Sequence, residues 1–281
     1  MHLLQVLILA IVQGAAELLP VSSSAHVIVA EKLMGLDPTA PEMTLLLVML
    51  HTGTMFAVLV YFWKAWRETY FTSVQALRVR GWQLLVGTAA TGVVGLALMY
   101  AIKHVYARND PGFQIEQLFG NARLMAASLA AAGVFILVAS RMDRAAGADV
   151  SVRSALWIGA VQGVCVPFRG FSRSGATIST GLALGVARRR AEEFSFALVV
   201  VLTPAAIARE AWRLVEAHSL TPIASAGGWG PLVAPSLLGM LFSFAAGLVA
   251  LRWLSRWLEQ GRWYLFGIYC LLASGVVLAV G

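Results

Sequence analysis

Apolar residues fill this chain in long runs, and the places where polar residues break them define its elements. The first run, Leu3 to Val12, is only about half the roughly 20 residues a helix needs to span a bilayer. It meets Gln13, Glu17, Pro20 and Ser22-Ser23-Ser24 before a second short run at Val27–Ala30. That pattern predicts a helix–loop–helix hairpin that enters the membrane and returns. Full-length spans are predicted at 43–63, 84–102 and 118–139. A second broken run, Ala155–Val166, leads into Pro167-Phe168-Arg169-Gly170-Phe171-Ser172-Arg173-Ser174-Gly175-Ala176-Thr177 and continues as a short apolar piece to Val186. Three more spans are predicted after it, at 194–212, 231–251 and 263–280.

The order is a hairpin plus three spans, twice over. An odd number of crossings in each half inverts the second copy relative to the first. The predicted fold is therefore an all-α integral membrane protein, a single polytopic domain over 1–281 formed by inverted repeats 1–140 and 141–281. Broken helices that meet near the midplane are a recurrent membrane architecture. Irregular backbone at that depth is tolerated only when buried in protein or lining a wet cavity. The competing arrangement is an eight-span bundle with two poor helices.

Composition agrees with the membrane class. Of 281 residues 59% are hydrophobic and 12% charged, with mean hydropathy +0.77, where a soluble domain carries about 25% charged residues. The formal charge of +7 comes from loop Arg and Lys; no clustered basic surface of the kind nucleic acid requires is present. Residues 1–12 contain no Lys or Arg, and Gln13 and Glu17 interrupt the stretch beyond them, so a cleaved signal peptide is not expected. Cys165 and Cys270 lie in apolar runs and read as packed thiols.

Charge bias sets the orientation. Lys64, Arg67, Arg78, Arg80, Arg141, Arg144, Arg153, Arg188, Arg189, Arg190, Arg252, Arg256 and Arg262 collect on one side. Lys32, Lys103, Arg108, Arg209 and Arg213 fall on the other. By the positive-inside rule the first side is cytoplasmic and both termini lie outside. The two hairpins then enter from opposite faces, and their tips can meet inside the membrane.

Those tips carry the chemistry. An ionisable group at bilayer depth costs about 2.5–3.5 kcal/mol on insertion scales and is kept there for a task. Gln13 and Glu17 share one helix face at a spacing of four, and a carboxylate beside an amide oxygen suits a hard divalent cation, Mg²⁺ or Ca²⁺. Ser22, Ser23 and Ser24 stand beside His26, an imidazole of the kind that takes a hydroxyl proton. Ser23 and His26, three apart, are expected on one face as nucleophile and base. Gly170 to Gly175 is a Gly-bracketed turn opening a helix, suited to anions through its backbone N–H groups and the Arg173 fork, with Ser172, Ser174 and Thr177 as further donors. Arg169 reads as reaching the headgroups. Arg123 is expected inside a span and in need of a partner, and His51 and Thr52 are candidates to line the cavity.

On these residues the chain resembles the undecaprenyl-diphosphate phosphatases, also called bacitracin-resistance proteins, which are integral membrane enzymes of bacterial cell-wall lipid recycling. The family's first motif, (E/Q)-x-x-x-E followed by PVSS-x-x-H, is matched by Gln13, Glu17, Pro20, Val21, Ser22, Ser23 and His26. Its second, P-G-x-S-R-S-x-x-T, is matched from Gly170 through Ser172, Arg173 and Ser174 to Thr177. Glu193-Phe194-Ser195-Phe196 resembles its E-F-S-F segment. The resemblance implies hydrolysis of undecaprenyl diphosphate to undecaprenyl phosphate and inorganic phosphate in the bacterial inner membrane, with a divalent cation. It implies catalytic roles for Glu17, Ser23, His26 and Arg173, phosphate contacts from Gln13, Ser22, Ser172, Ser174 and Thr177, and metal ligation by Glu17 and Gln13. Two departures stand out. The first acidic position is Gln13, and two residues, Phe168 and Arg169, separate Pro167 from Gly170 where the family has them adjacent.

Other readings use the same residues. The acid and lipid phosphatase group also has Ser-x-His, as in Ser24-Ala25-His26, followed by Ser-Arg. There a second His stands six residues beyond the Arg, and Ser179 occupies that place here. The inverted repeat alternatively suits a transporter or flippase for a polyprenyl phosphate. Expected partners are the polyprenyl diphosphate and membrane lipids, with a homodimer as a candidate assembly. Whether a serine or an activated water attacks phosphorus is left open by the pattern.

Overall fold

A computed structural model describes residues 2–36, 41–108, 118, 121–143, 147–220 and 230–280. Helix follows helix: α1 (Leu3–Leu18), α2 (Ser23–Leu33), α3 (Pro41–Tyr70), α4 (Val74–Ala101), α5 (Ala122–Met142), α6 (Val152–Val164), α7 (Arg173–Ala183), α8 (Arg188–Leu220), α9 (Gly230–Glu259) and α10 (Tyr264–Val280). Among the described residues, Met43–Tyr70, Val74–Val105, Ala122–Met142 and Val233–Glu259 are long and apolar enough to cross a membrane. The predicted spans at 194–212 and 263–280 fall on α8 and α10. Exposed Leu, Val and Trp side chains cover the outer faces of α3, α4 and α9, an apolar exterior suited to lipid tails. The chain is a multi-pass membrane protein.

Most helices differ from the predicted spans in their ends, and for two of the differences the cause is a cap. Helix α4 begins ahead of the predicted residue 84, at Val74, because Ser73 accepts the Ala76 N–H at 3.0 Å and so caps it. Helix α5 begins later than residue 118, at Ala122, where the Asn121 side chain accepts the Leu124 N–H at 3.0 Å. That start leaves Arg123 exposed in the first turn of α5, at the end of the helix and not inside a span as the pattern predicts.

Within lipid, tails are as apolar as the helices, so association depends on close packing and on hydrogen bonds between helices. Helix α4 lies along α6, α9 along α1 and α3, and α10 along α5. Glycines set these approaches. A Cβ on Gly159 of α6 would sit 2.0 Å from the Gly87 carbonyl oxygen of α4. The Thr91 hydroxyl, within 2.9 Å of both the Gly87 and Gly159 carbonyls, ties the same pair. Gly133 on α5 and Gly267 on α10 meet likewise, each lacking room for a Cβ beside the other's carbonyl. Helices α1 and α2 form one hairpin, α6 and α7 the other, and α7 also lies along α5.

Ion pairs gather at one end of the bundle. Arg80 of α4 grips Asp149 in the segment before α6 with both guanidinium nitrogens. Burial would raise the Asp149 carboxyl, and the Arg80 hydrogen bonds override it and hold the group below the ordinary carboxylate value. Arg188 of α8 pairs with Asp143 at 2.7 Å and donates to the Glu259 carbonyl at 2.8 Å.

The α4–α6 contact leads to a direct check. Gly159→Ala should destabilise the protein by about 1–3 kcal/mol, as overpacking does, read as thermal unfolding in detergent. Gly81→Ala, with nothing within 4 Å of the added Cβ, should change stability by no more than about 0.5 kcal/mol. Unfolding of Gly159→Ala at the parent temperature would mean the helices do not meet there.

Candidate active site

Each hairpin turns deep inside the bundle, and local sequence dictates where. Helix α1 stops at Leu18 because Pro20 forces the residue before it to be extended, and Leu19 has φ −72° and ψ 153°. Ser22 then takes φ +65°, the left-handed region, which a residue with a side chain rarely adopts. Its carbonyl accepts the His26 N–H at 3.4 Å and opens α2. In the second hairpin Ser172 caps α7 by accepting the Gly175 N–H at 3.3 Å. Gly170 passes so near α5 that a Cβ would lie 2.1 Å from the Met125 carbonyl oxygen.

The two tips are clasped through their backbones. Ser22 Oγ donates to the Arg169 carbonyl at 2.8 Å, and Ser174 Oγ donates to the Leu19 carbonyl at 3.1 Å. The extra residues before Gly170 thus give the first hairpin an acceptor. Cys270 of α10 joins from the side, its Sγ 3.1 Å from the Pro20 carbonyl.

At the junction sits Glu17. Its Oε1 accepts from Arg173 Nη2 at 2.8 Å, and its Oε2 accepts from Ser23 Oγ at 2.6 Å and from Gln13 Nε2 at 3.2 Å. His51 of α3 directs Nε2 to within 3.7 Å of the same Oε2, while its Nδ1 bonds the Leu47 carbonyl at 2.8 Å. A carboxylate at this depth is tolerable only when paired and hydrogen-bonded, and this one is both. Side-chain exposures of 19% for Glu17 and 21% for Arg173 leave the pair partly open. Arg173 Nη1 is buried with no hydrogen-bond partner, an orphaned donor on a cation and therefore an invitation to an anionic oxygen.

Glu17, Ser23 and Arg173 are brought together as the sequence reading expects. The Ser23–His26 pair is not. His26 Nδ1 lies 2.8 Å from the Ser22 carbonyl and Nε2 lies 2.7 Å from the Tyr269 hydroxyl of α10. Both ring nitrogens are engaged by groups other than Ser23, whose hydroxyl is directed to Glu17. Four expected phosphate donors also have other duties. Ser22 and Ser174 clasp the hairpins, Ser172 caps α7, and Thr177 Oγ1 lies 2.8 Å from the Arg173 carbonyl and 2.6 Å from Ser195 Oγ. All four are buried. Gln13 is buried too, with its amide nitrogen on Glu17. Thr52 turns back onto the Val48 carbonyl, whereas His51 does line the site. The Glu193-Phe194-Ser195-Phe196 segment supports α7 from behind: Ser195 reaches Thr177, and Glu193 pairs with Arg189 and Arg190 at 2.8 Å each. Tyr269 escapes the sequence reading, since an aromatic within an apolar helix carries no signal of its own.

The chain matches the family model for the bacitracin resistance protein BacA over residues 6–277. It is 62% identical over 280 residues, 100% of this chain and 98% of the relative, to undecaprenyl-diphosphatase 2 of Acinetobacter baylyi. Similarity extends at 34% identity over 304 residues, 100% of this chain and 99% of the relative, to undecaprenyl-diphosphatase of Desulfosudis oleivorans. At 34% over 281 residues, 95% of this chain and 92% of the relative, it reaches undecaprenyl-diphosphatase 1 of Burkholderia pseudomallei.

Positive φ at Ser22 separates two substitutions there. Ser22→Val should cost about 1–3 kcal/mol in detergent unfolding, since a β-branched residue is strained in the left-handed region. Ser22→Gly keeps that backbone and loses only the Arg169 bond, so it should stay within about 1 kcal/mol of the parent. Equal stabilities for the two variants would remove the turn from its assigned geometry.

Proposed function

Because the chain belongs to the bacitracin resistance protein BacA family, we propose that it hydrolyses undecaprenyl diphosphate to undecaprenyl phosphate and inorganic phosphate. The observation that carries this reading is the 2.6 Å bond from Ser23 Oγ to a Glu17 carboxylate that Arg173 holds from the other hairpin. A serine is a weak nucleophile until a base takes its proton, and here the base in contact is Glu17. Ser23 Oγ attacks the terminal phosphorus, its proton passes to Glu17 Oε2, and the bond from phosphorus to the bridging oxygen breaks. The lipid monophosphate leaves. Arg173 balances the negative charge, the phosphate oxygens supplying the acceptor that Nη1 lacks. In the second half water attacks the phosphoserine and gives a proton to His26 Nε2. Glu17 returns its proton to the departing Ser23 oxygen, and His26 releases its own to solvent.

A divalent cation, Mg²⁺ or Ca²⁺, would meet Glu17 and the amide oxygen of Gln13. Among the described residues no group of three or more His, Cys, Asp or Glu is gathered to hold one. That donor set fits an ion that keeps water and diphosphate oxygens as most of its shell. Its contribution would be to neutralise phosphate charge.

The inverted repeat accounts for the helix pairings. If α1 to α5 correspond in order to α6 to α10, then α1 against α9 answers α6 against α4, and α5 against α7 answers α10 against α2. Helix α3 against α9 likewise answers α8 against α4. Each broken pair is then a re-entrant hairpin within one domain over 1–281. The gathering of Arg80, Arg188 and Arg190 with their acids at one end supports a cytoplasmic assignment for that end. Both termini then face the outside of the inner membrane. The matched relatives are named as diphosphatases, and none of those compared is named as a transporter.

Purified protein given undecaprenyl diphosphate and Mg²⁺ or Ca²⁺ should release phosphate, and chelation should stop it until the cation is restored. Ser23→Ala should lower kcat by about 10³-fold or more. Arg173→Lys, which keeps charge but loses the planar fork, should lose about 10²-fold in kcat/KM. No phosphate release by the parent protein would overturn the function. Near-normal turnover by Ser23→Ala would overturn the covalent route alone.

A further inference from the structure

The His26 ring is held at both nitrogens, and the two contacts differ in kind. A carbonyl can only accept, so Nδ1 carries a proton and donates it to Ser22 at 2.8 Å. In the neutral ring Nε2 is then a lone pair, and the Tyr269 hydroxyl at 2.7 Å donates to it. The tautomer is set by the bonds the two nitrogens make. The rings lie nearly parallel, 13° apart with centroids 5.7 Å from each other, so the phenol also packs beside the imidazole that it bonds.

Tyr269 is itself held in register. Its neighbour Cys270 is fully buried with Sγ on the Pro20 carbonyl at 3.1 Å. One turn earlier Gly267 closes on Gly133 of α5. Helix α10 is thereby docked against the turn that carries Ser22 and Ser23, and Tyr269 reaches across it. A phenol in the otherwise apolar helix YLFGIYCLLASGVVLAV would lose hydrogen bonding at this depth without such a partner. Tyr269 remains 45% exposed, so the phenol is not locked by packing on every side.

We propose that Tyr269 is a positioning residue for the clearing half of the reaction. It fixes His26 in the Nδ1–H tautomer with the Nε2 lone pair facing the space the attacking water takes. The formation of the phosphoserine, which uses Glu17 and Arg173, does not involve it. This rests on the role of His26 given above, and it adds a residue from α10 that neither hairpin motif contains.

Single-turnover kinetics separate the two halves. Tyr269→Phe keeps the ring and removes one hydroxyl. It should form phosphoserine 23 at the parent rate, clear it about tenfold more slowly, the worth of one hydrogen bond, and unfold at the parent temperature. His26→Ala should clear more slowly still, and adding Tyr269→Phe to it should change nothing further, since the phenol acts through the imidazole. If His26→Ala clears normally, the role of His26 and this proposal fall together. If His26→Ala is slow while Tyr269→Phe clears normally, slows both halves alike or slows the double variant further, the positioning role alone is overturned. Should Tyr269→Phe unfold early, Tyr269→Leu compared at matched folded fraction reads the same ratio of the two halves.

Discussion

An ion pair joins the two hairpins of this protein. Glu17 on α1 and Arg173 on α7 are 156 residues apart in sequence and 2.8 Å apart in space. Neither charge is well tolerated alone among apolar helices. Each compensates the other, and together they fix where the hairpin tips stop. The carboxylate oxygen that Arg173 leaves free is the one that takes the Ser23 hydroxyl.

The surroundings reflect the need to satisfy a broken backbone inside an apolar bundle. Where a helix stops among packed helices its last carbonyls lose their helical partners and need donors from the protein. The Leu19 carbonyl, which also accepts the Val21 N–H at 2.8 Å, takes the Ser174 hydroxyl, and the Arg169 carbonyl takes the Ser22 hydroxyl, across the junction. The Pro20 carbonyl is answered by Cys270. Serine-rich sequence at the tips therefore meets a structural requirement. Glycine at the helix crossings performs the complementary task, bringing α6 to α4 and α5 to α10 closely enough for packing to hold them.

The same constraint explains which features the residues alone reveal. Glu17 and Arg173 are legible because a charge among apolar residues has few reasons to exist. The hairpins are legible from Pro20 and from runs too short to span. Ser23 and His26 are expected to pair because a spacing of three puts both on one helix face. Face, however, does not fix side-chain torsions, and the Ser22 carbonyl and the α10 phenol draw the imidazole away. Ser22, Ser172, Ser174 and Thr177 look like free donors because a sequence does not reveal which carbonyls a turn leaves unpaired. Tyr269 is invisible, being remote in sequence and ordinary in its helix. Its role depends on where α10 docks.

The central claim is that Glu17 takes the proton of Ser23 as the serine attacks phosphorus. Rapid quench of the enzyme with undecaprenyl diphosphate, with mass spectrometry of the peptide containing Ser23, tests it most directly. A phosphoserine at position 23 is expected within the first turnover of the parent protein, and none on that timescale in a folded Glu17→Gln variant. Formation of the same adduct at the parent rate in Glu17→Gln would contradict it.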